Sequence, residues 1–191
     1  MCRWVLLLLV LTISASAQNS TTTPVGKFPA LNVQVTVGTQ EKAEGASFYR
    51  RTMNIVPRMT IEGVSRMVPI PAAEATMLII TMETREKFVH LKEECKVYTT
   101  ETLPIPEVKT GDRRQFNFAP STTSFDGYRD NSNAGGEMYK YYIFALRDPA
   151  TKTIIDFRSN DQALMNYCKA HPEKREELLG MAKDANFPKV K

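Results

Sequence analysis

Apolar and polar residues alternate through much of this chain with the period of two that an extended strand imposes. In ALNVQVTVG, Leu31, Val33, Val35 and Val37 alternate with Asn32, Gln34 and Thr36, and Gly38 closes the run. One face of such a strand is buried and the other is wet. Met53, Ile55, Pro57, Met59 and Ile61 repeat the pattern against Thr52, Asn54, Arg58, Thr60 and Glu62, with Gly63 at the end. Pro57 has no N–H for a ladder, so this second strand is expected at an edge or bent at a bulge. Residues 76–82 (TMLIITM) are of strand length and apolar apart from two threonines, which predicts a central strand covered on both faces.

Further strands are predicted at 84–92, at 95–102, at 114–118 beyond a turn at 109–112, and at 138–146 (MYKYYIFAL). Pro104 and Pro106 are expected to break the chain. Simple alternation puts Tyr139 and Tyr141 on one face of the 138–146 strand and Tyr142 on the other. Asp148-Pro149-Ala150-Thr151 forms a turn into a hairpin partner at 153–157. After it the period changes. Ser159, Asn160 and Asp161 are all suitable N-caps for a helix carrying Ala163, Leu164, Tyr167 and Cys168, and Pro172 opens a second, short helix. The pattern predicts a mainly β chain: an antiparallel β-sandwich of seven or eight short strands, with one or two C-terminal helices over 159–183.

Residues 136–146, GEMYKYYIFAL, resemble the penultimate strand of immunoglobulin-like or fibronectin-type-III-like sandwiches, and TIIDF fits the last strand. The resemblance implies that architecture alone. The chain departs from it in lacking a tryptophan inside the domain and in placing Cys168 beyond the last predicted strand.

Ahead of the domain stand Arg3, an apolar run over 5–13 interrupted only by Thr12, and Ser14-Ala15-Ser16-Ala17. The run is about half of the ~20 apolar residues that cross a bilayer, and small Ala15 and Ala17 suit a signal peptidase. Residues 1–17 are therefore expected as a signal peptide cleaved between Ala17 and Gln18. The mature protein is expected to be secreted, extracellular or periplasmic, with no membrane span. Residues 18–29 read as a flexible polar leader and 30–191 as a single β-sandwich domain. Asn19-Ser20-Thr21 has the glycosylation pattern, used only where the source organism glycosylates. Of the three cysteines, cleavage discards Cys2. Export favours a Cys95–Cys168 bridge tying the helical end to a strand, worth roughly 4 kcal/mol; an intermolecular bridge or two buried thiols are the alternatives.

The net charge of +4 falls by one with Arg3 and is spread among interspersed charges of both signs, which does not suit nucleic acid. No HExxH, paired CxxC, GxSxG or phosphate-binding glycine loop occurs, and His90 and His171 are far apart, so neither metal nor cofactor is expected. An EF-hand template started at Asp130 fails, with Ala134 at the fifth position and Tyr141 at the twelfth. The methionines read as core filler. What remains is residues 119–136, rich in Tyr, Ser, Asn, Gly and Asp: a binding loop or a plain connector. As a binding loop it would offer Phe125, Tyr128, Arg129 and Asp130. The functional expectation is a secreted, non-enzymatic module for a protein or cell-envelope partner. The alternative is a small secreted hydrolase whose site the sequence does not reveal.

Overall fold

The structure is a computed structural model that describes residues 18–44, 47–65, 67–84, 94–127 and 135–189. The expected strand at 84–92, His90, Ala17 and the loop residues Tyr128, Arg129 and Asp130 lie outside the described residues, Thr84 apart. Among the described residues, ten strands form two five-stranded antiparallel sheets. The first sheet holds β1 (Gln18–Thr21), β2 (Leu31–Glu44) and β3 (Ser47–Gly63), with β6 (Arg113–Asn117) and β7 (Ser121–Asp126) both pairing with the far side of β3. The second runs β10 (Asn186–Phe187), β5 (Cys95–Ile105), β4 (Ala73–Glu83), β8 (Glu137–Arg147), β9 (Ile154–Ser159). Helices α1 (Gln162–Ala170) and α2 (Lys174–Leu179) precede β10.

The strand alternation decides the layering. Leu31, Val33, Val35 and Val37 of β2 and Met53, Ile55, Met59 and Ile61 of β3 meet Met77, Ile79, Tyr142, Phe144 and Leu146 of the second sheet in one core. The Tyr98 hydroxyl crosses between the sheets and donates to the Thr122 carbonyl at 2.6 Å. As its unbroken apolar run predicted, β4 is covered on both sides. Leu78 and Ile80 point away from the inter-sheet core, into a second cluster with Val97, Ile143, Leu164, Cys168, Leu178 and Phe187. The order of layers is thus sheet, sheet, helices. Asp161 caps α1 by accepting from the Leu164 N–H at 2.8 Å.

Several expectations change in the folded chain. Pro57 lies inside a strand paired on both sides, not at an edge. Its missing N–H costs nothing because β6 pairs with Arg58–Glu62 and β7 with Arg50–Ile55, leaving a gap beside Pro57. Into that gap Phe118 sends its N–H, at 3.2 Å from the Pro57 carbonyl. Gly38 does not end β2, which continues to Glu44, and Pro104 lies within β5, opposite Glu74. Residues 18–29, expected to be flexible, supply β1 and a turn whose Phe28 is 2% exposed. Each neighbour of β4 carries a bulge at the same level: Tyr98 is the extra residue in β5 and Lys140 in β8. The Lys140 bulge reverses the phase of β8, so Tyr139 packs with Tyr142 in the inter-sheet core while Tyr141 faces the helices.

Candidate functional site

The outer face of the second sheet lies under the helices; the outer face of the first has no covering layer among the described residues. Pairing register sets which side chains meet there. One row runs Thr21, Asn32, Glu62, Arg113, and the next Gln34, Thr60, Gln115. Then come Thr36, Arg58, Asn117; Gly38 and Val56; and Gln40, Asn54, Thr122. Apart from Gly38 and Val56, every one of these positions carries a hydroxyl, an amide or a charge. Some are joined: Thr21 Oγ1 donates to Asn32 Oδ1 at 2.8 Å, Thr122 Oγ1 to Asn54 Oδ1 at 2.9 Å, and Arg113 Nη2 to Gln34 Oε1 at 3.2 Å. An amide engaged through one oxygen keeps its two N–H donors for a ligand.

Two depressions of about 340 Å³ each lie on this face. Asn32, Gln34, Thr60, Glu62 and Arg113 line one; Thr36, Gly38, Gln40, Asn54, Val56 and Arg58 line the other. Their linings share no residue but occupy successive rows, so the two depressions lie end to end as a trough in two parts along β2 from Asn32 to Gln40, roughly 26 Å at ~3.3 Å per residue. Gly38 opens the second half: a Cβ built there would meet only the Val56 carbonyl oxygen, at 3.9 Å. Arg58 rises beside that opening, exposed, and its guanidinium has no hydrogen bond or ion pair among the described residues.

A third cavity, of about 380 Å³, lies between the 25–28 turn and the β8–β9 hairpin. Lys27 pairs with Asp148 there at 3.2 Å. The Ala150 N–H, then Lys27, hold the Asp148 carboxyl below the usual carboxylate range. Both charges serve the hairpin. Glu177 raises Lys174 on α2, and the other displaced groups lie in or beside the core rather than in the trough. Burial pushes the Tyr142 hydroxyl up to about 12 and raises Tyr139, Tyr141 and the Cys168 thiol. Burial also raises Asp156, which lies 2.5 Å from the guanidinium of buried Arg158. Among the described residues no group of three or more His, Cys, Asp or Glu is placed to hold a metal ion.

Of the loop residues expected to make contacts, only Phe125 is described, and it is a core residue, 5% exposed. The reason is β7, a strand inside the stretch read as a loop, which alternates Thr123 and Phe125 inward. Polar serines and threonines masked its period. Cys95 and Cys168 are not joined to each other in this structure, so the expected bridge is not formed. Both belong to the cluster under the helices, where Cys95 stands opposite Met82 and Phe187 in the sheet and Cys168 sits on the buried side of α1. Gln18 lies in β1 opposite Val35. His171 ends α1 and packs on Tyr167, 4.8 Å between ring centres. The polar halves of β2 and β3 were visible in the sequence, but their assembly into a trough depends on the register and on an open Gly38.

No protein-family model matches the chain, and no curated protein matches it. Among solved structures, a crystal structure from Akkermansia muciniphila aligns at 10% identity over 76% of this chain and 75% of the other, with a TM-score of 0.28. A likeness that slight carries no argument about fold or function.

Proposed function

We propose that this protein is a secreted, non-enzymatic binding module that holds a cell-envelope or extracellular component on the outer face of its first sheet. The observation that carries the reading is the trough: hydrogen-bonding side chains in register, about 26 Å of length at ~3.3 Å per residue, and no layer over it among the described residues. A solvated face is ordinary for an antiparallel sheet. Two depressions end to end, one of them opened by a glycine in mid-strand and flanked by an unpaired arginine, are more than solvation requires. The displaced carboxylate, thiol and phenols are engaged in core packing and in the hairpin, which favours binding over hydrolysis. No helix among the described residues is long and apolar enough to cross a membrane. Kinship with immunoglobulin-like or fibronectin-type-III-like domains rests on residues 136–146 and their hairpin partner, and it belongs to this proposal only as an architecture.

The test is co-sedimentation with insoluble envelope material of the producing organism. The wild-type protein is expected in the pellet, and the triple variant Gln34→Ala/Thr60→Ala/Gln115→Ala in the supernatant with an unchanged circular dichroism spectrum. A triple variant that pellets as fully as wild type, or a wild type that never pellets, overturns the reading.

A further inference from the structure

We infer that the trough takes one strand of an anionic polysaccharide, with Arg58 holding an acidic group of the polymer at the Gly38 opening. The inference rests on the binding-module reading and narrows its ligand class. Three features choose the occupant.

The first is charge. Arg58 stands at the middle of the face, in a row with Thr36 and Asn117, and its nearest neighbours on β2 and β3 are neutral. Arg113 lines the trough as well, and among the described residues Glu62 is its one acidic lining residue. Every other cation of the first sheet's outer face is spoken for or peripheral: Arg50 pairs with Glu44 at 3.3 Å, and Lys42 lies beyond Gln40. An exposed guanidinium without a partner presents a planar fork of donors that fits a carboxylate or a sulfate bidentately.

The second is the spacing of charge against neutral hydrogen-bonding groups. Between and around Arg58 and Arg113 lie Gln34, Thr36, Gln40, Asn54, Thr60 and Asn117. Amides offer both donors and acceptors, the complement of vicinal hydroxyls. A polymer dense in hydroxyls, with acidic groups set among them, matches that lining. Nucleic acid does not: it carries a charge every ~1.7 Å along the duplex and relies on aromatic stacking when single-stranded. Among the described residues the lining contains no aromatic side chain.

The third is shape. The trough is open at the side and long, which suits an extended chain rather than an enclosed small molecule. A peptide would need apolar pockets for its side chains, and Val56 is the one apolar side chain of the outer-face rows along the trough. Without aromatic platforms the affinity rests on hydrogen bonds and two cations, so binding is weak and falls with salt.

Native affinity electrophoresis through gels containing polygalacturonate, dextran sulfate or neutral dextran tests this. Wild-type protein is expected to be retarded by an anionic polymer and to run freely in dextran. Arg58→Gln is expected to weaken retardation at least fivefold, as is Gly38→Leu, which fills the opening. Gly38→Ala keeps the fold measurable should the leucine fail, and it is expected to weaken binding less. Preference for polygalacturonate identifies carboxylates as the charged group; preference for dextran sulfate identifies sulfates, and either supports the inference. Equal retardation in neutral dextran, retardation untouched by both Arg58→Gln and Gly38→Leu, tighter binding to an oligonucleotide, or no retardation by either anionic polymer overturns it. The broader reading falls separately, on the triple variant in co-sedimentation.

Discussion

Asp156 and Arg158 sit two residues apart on β9, with side chains 10% and 4% exposed. They project from an edge strand toward the inter-sheet core: Asp156 lies opposite Leu146 and Arg158 opposite Phe144. Inward-pointing charge on an edge strand discourages pairing with a second sheet. Desolvation outweighs the pull of Arg158, and the Asp156 carboxyl is raised. The consequence for stability has a definite sign. Between the ordinary Asp value near ~3.9 and the raised folded value, the native protein holds more proton than the unfolded chain, so this group's contribution falls as pH rises through that window. Removing one partner strands a buried charge. Arg158→Leu is therefore expected to cost about 3–5 kcal/mol, and Asp156→Leu/Arg158→Leu less than that single change. Urea unfolding at pH 7 measures both. A double variant less stable than Arg158→Leu would mean that the carboxylate does more for the core than balance the guanidinium.

At the scale of elements, glycines divide into those that hold the sheet junction and the one that opens the trough. Gly136 joins the two sheets: it bridges Phe125 of β7, and its carbonyl accepts from the Thr84 N–H at 2.9 Å. Its φ is +114°, and an added Cβ would lie 2.3 Å from the Ser124 carbonyl oxygen. Backbone must move to admit it. Gly136→Ala is expected to cost more than 2 kcal/mol, on the order of the largest single-site backbone effects, whereas Gly38→Ala is expected to be neutral or stabilising. Thermal unfolding of the two variants side by side checks the contrast, and equal losses would contradict it. The same elements mark how far the sequence could be read. Period-two alternation located β2 and β3, the largely apolar run located β4, and the dense aromatic and aliphatic run over 138–146 located β8, because burial on one face or both writes directly into residue type. It could not locate β7, whose outward residues are Thr122, Ser124 and Asp126 and whose inward Thr123 is hydroxylic too. Nor could it foresee the bulges at Tyr98 and Lys140, where one extra residue changes which face follows. Register links strands distant in sequence, so the trough, which consists of register, was not legible even though most of its side chains were.

For the whole molecule, the third layer makes the C-terminus a structural lid. After the helices, the chain returns to the second sheet. The Asp184 N–H reaches the Val97 carbonyl at 2.7 Å, the Val97 N–H reaches the Ala185 carbonyl at 3.0 Å, and Phe187 pairs with Cys95. The Phe187 ring meets Tyr141 edge-on, with 5.7 Å between centroids. This ring closes the cluster that contains Cys168 and borders Cys95. Both thiols therefore report on the lid, and to different degrees: Cys95 is half-buried, while Cys168 is 1% exposed with its thiol raised by burial. In reduced protein, Cys95 is expected to alkylate at least tenfold faster than Cys168, since a buried thiol of raised pKa reacts only through opening. Phe187→Ala leaves a cavity and is expected to cost about 3–5 kcal/mol, so it should speed both reactions, Cys168 most in proportion because its exposure requires the layer to separate. Pulsed alkylation read by mass spectrometry measures each site. If Cys168 reacts as fast as Cys95 in the wild type, the helices do not seal the second sheet; if Phe187→Ala leaves Cys168 unchanged, the lid is held by the helices alone and β10 is incidental to it.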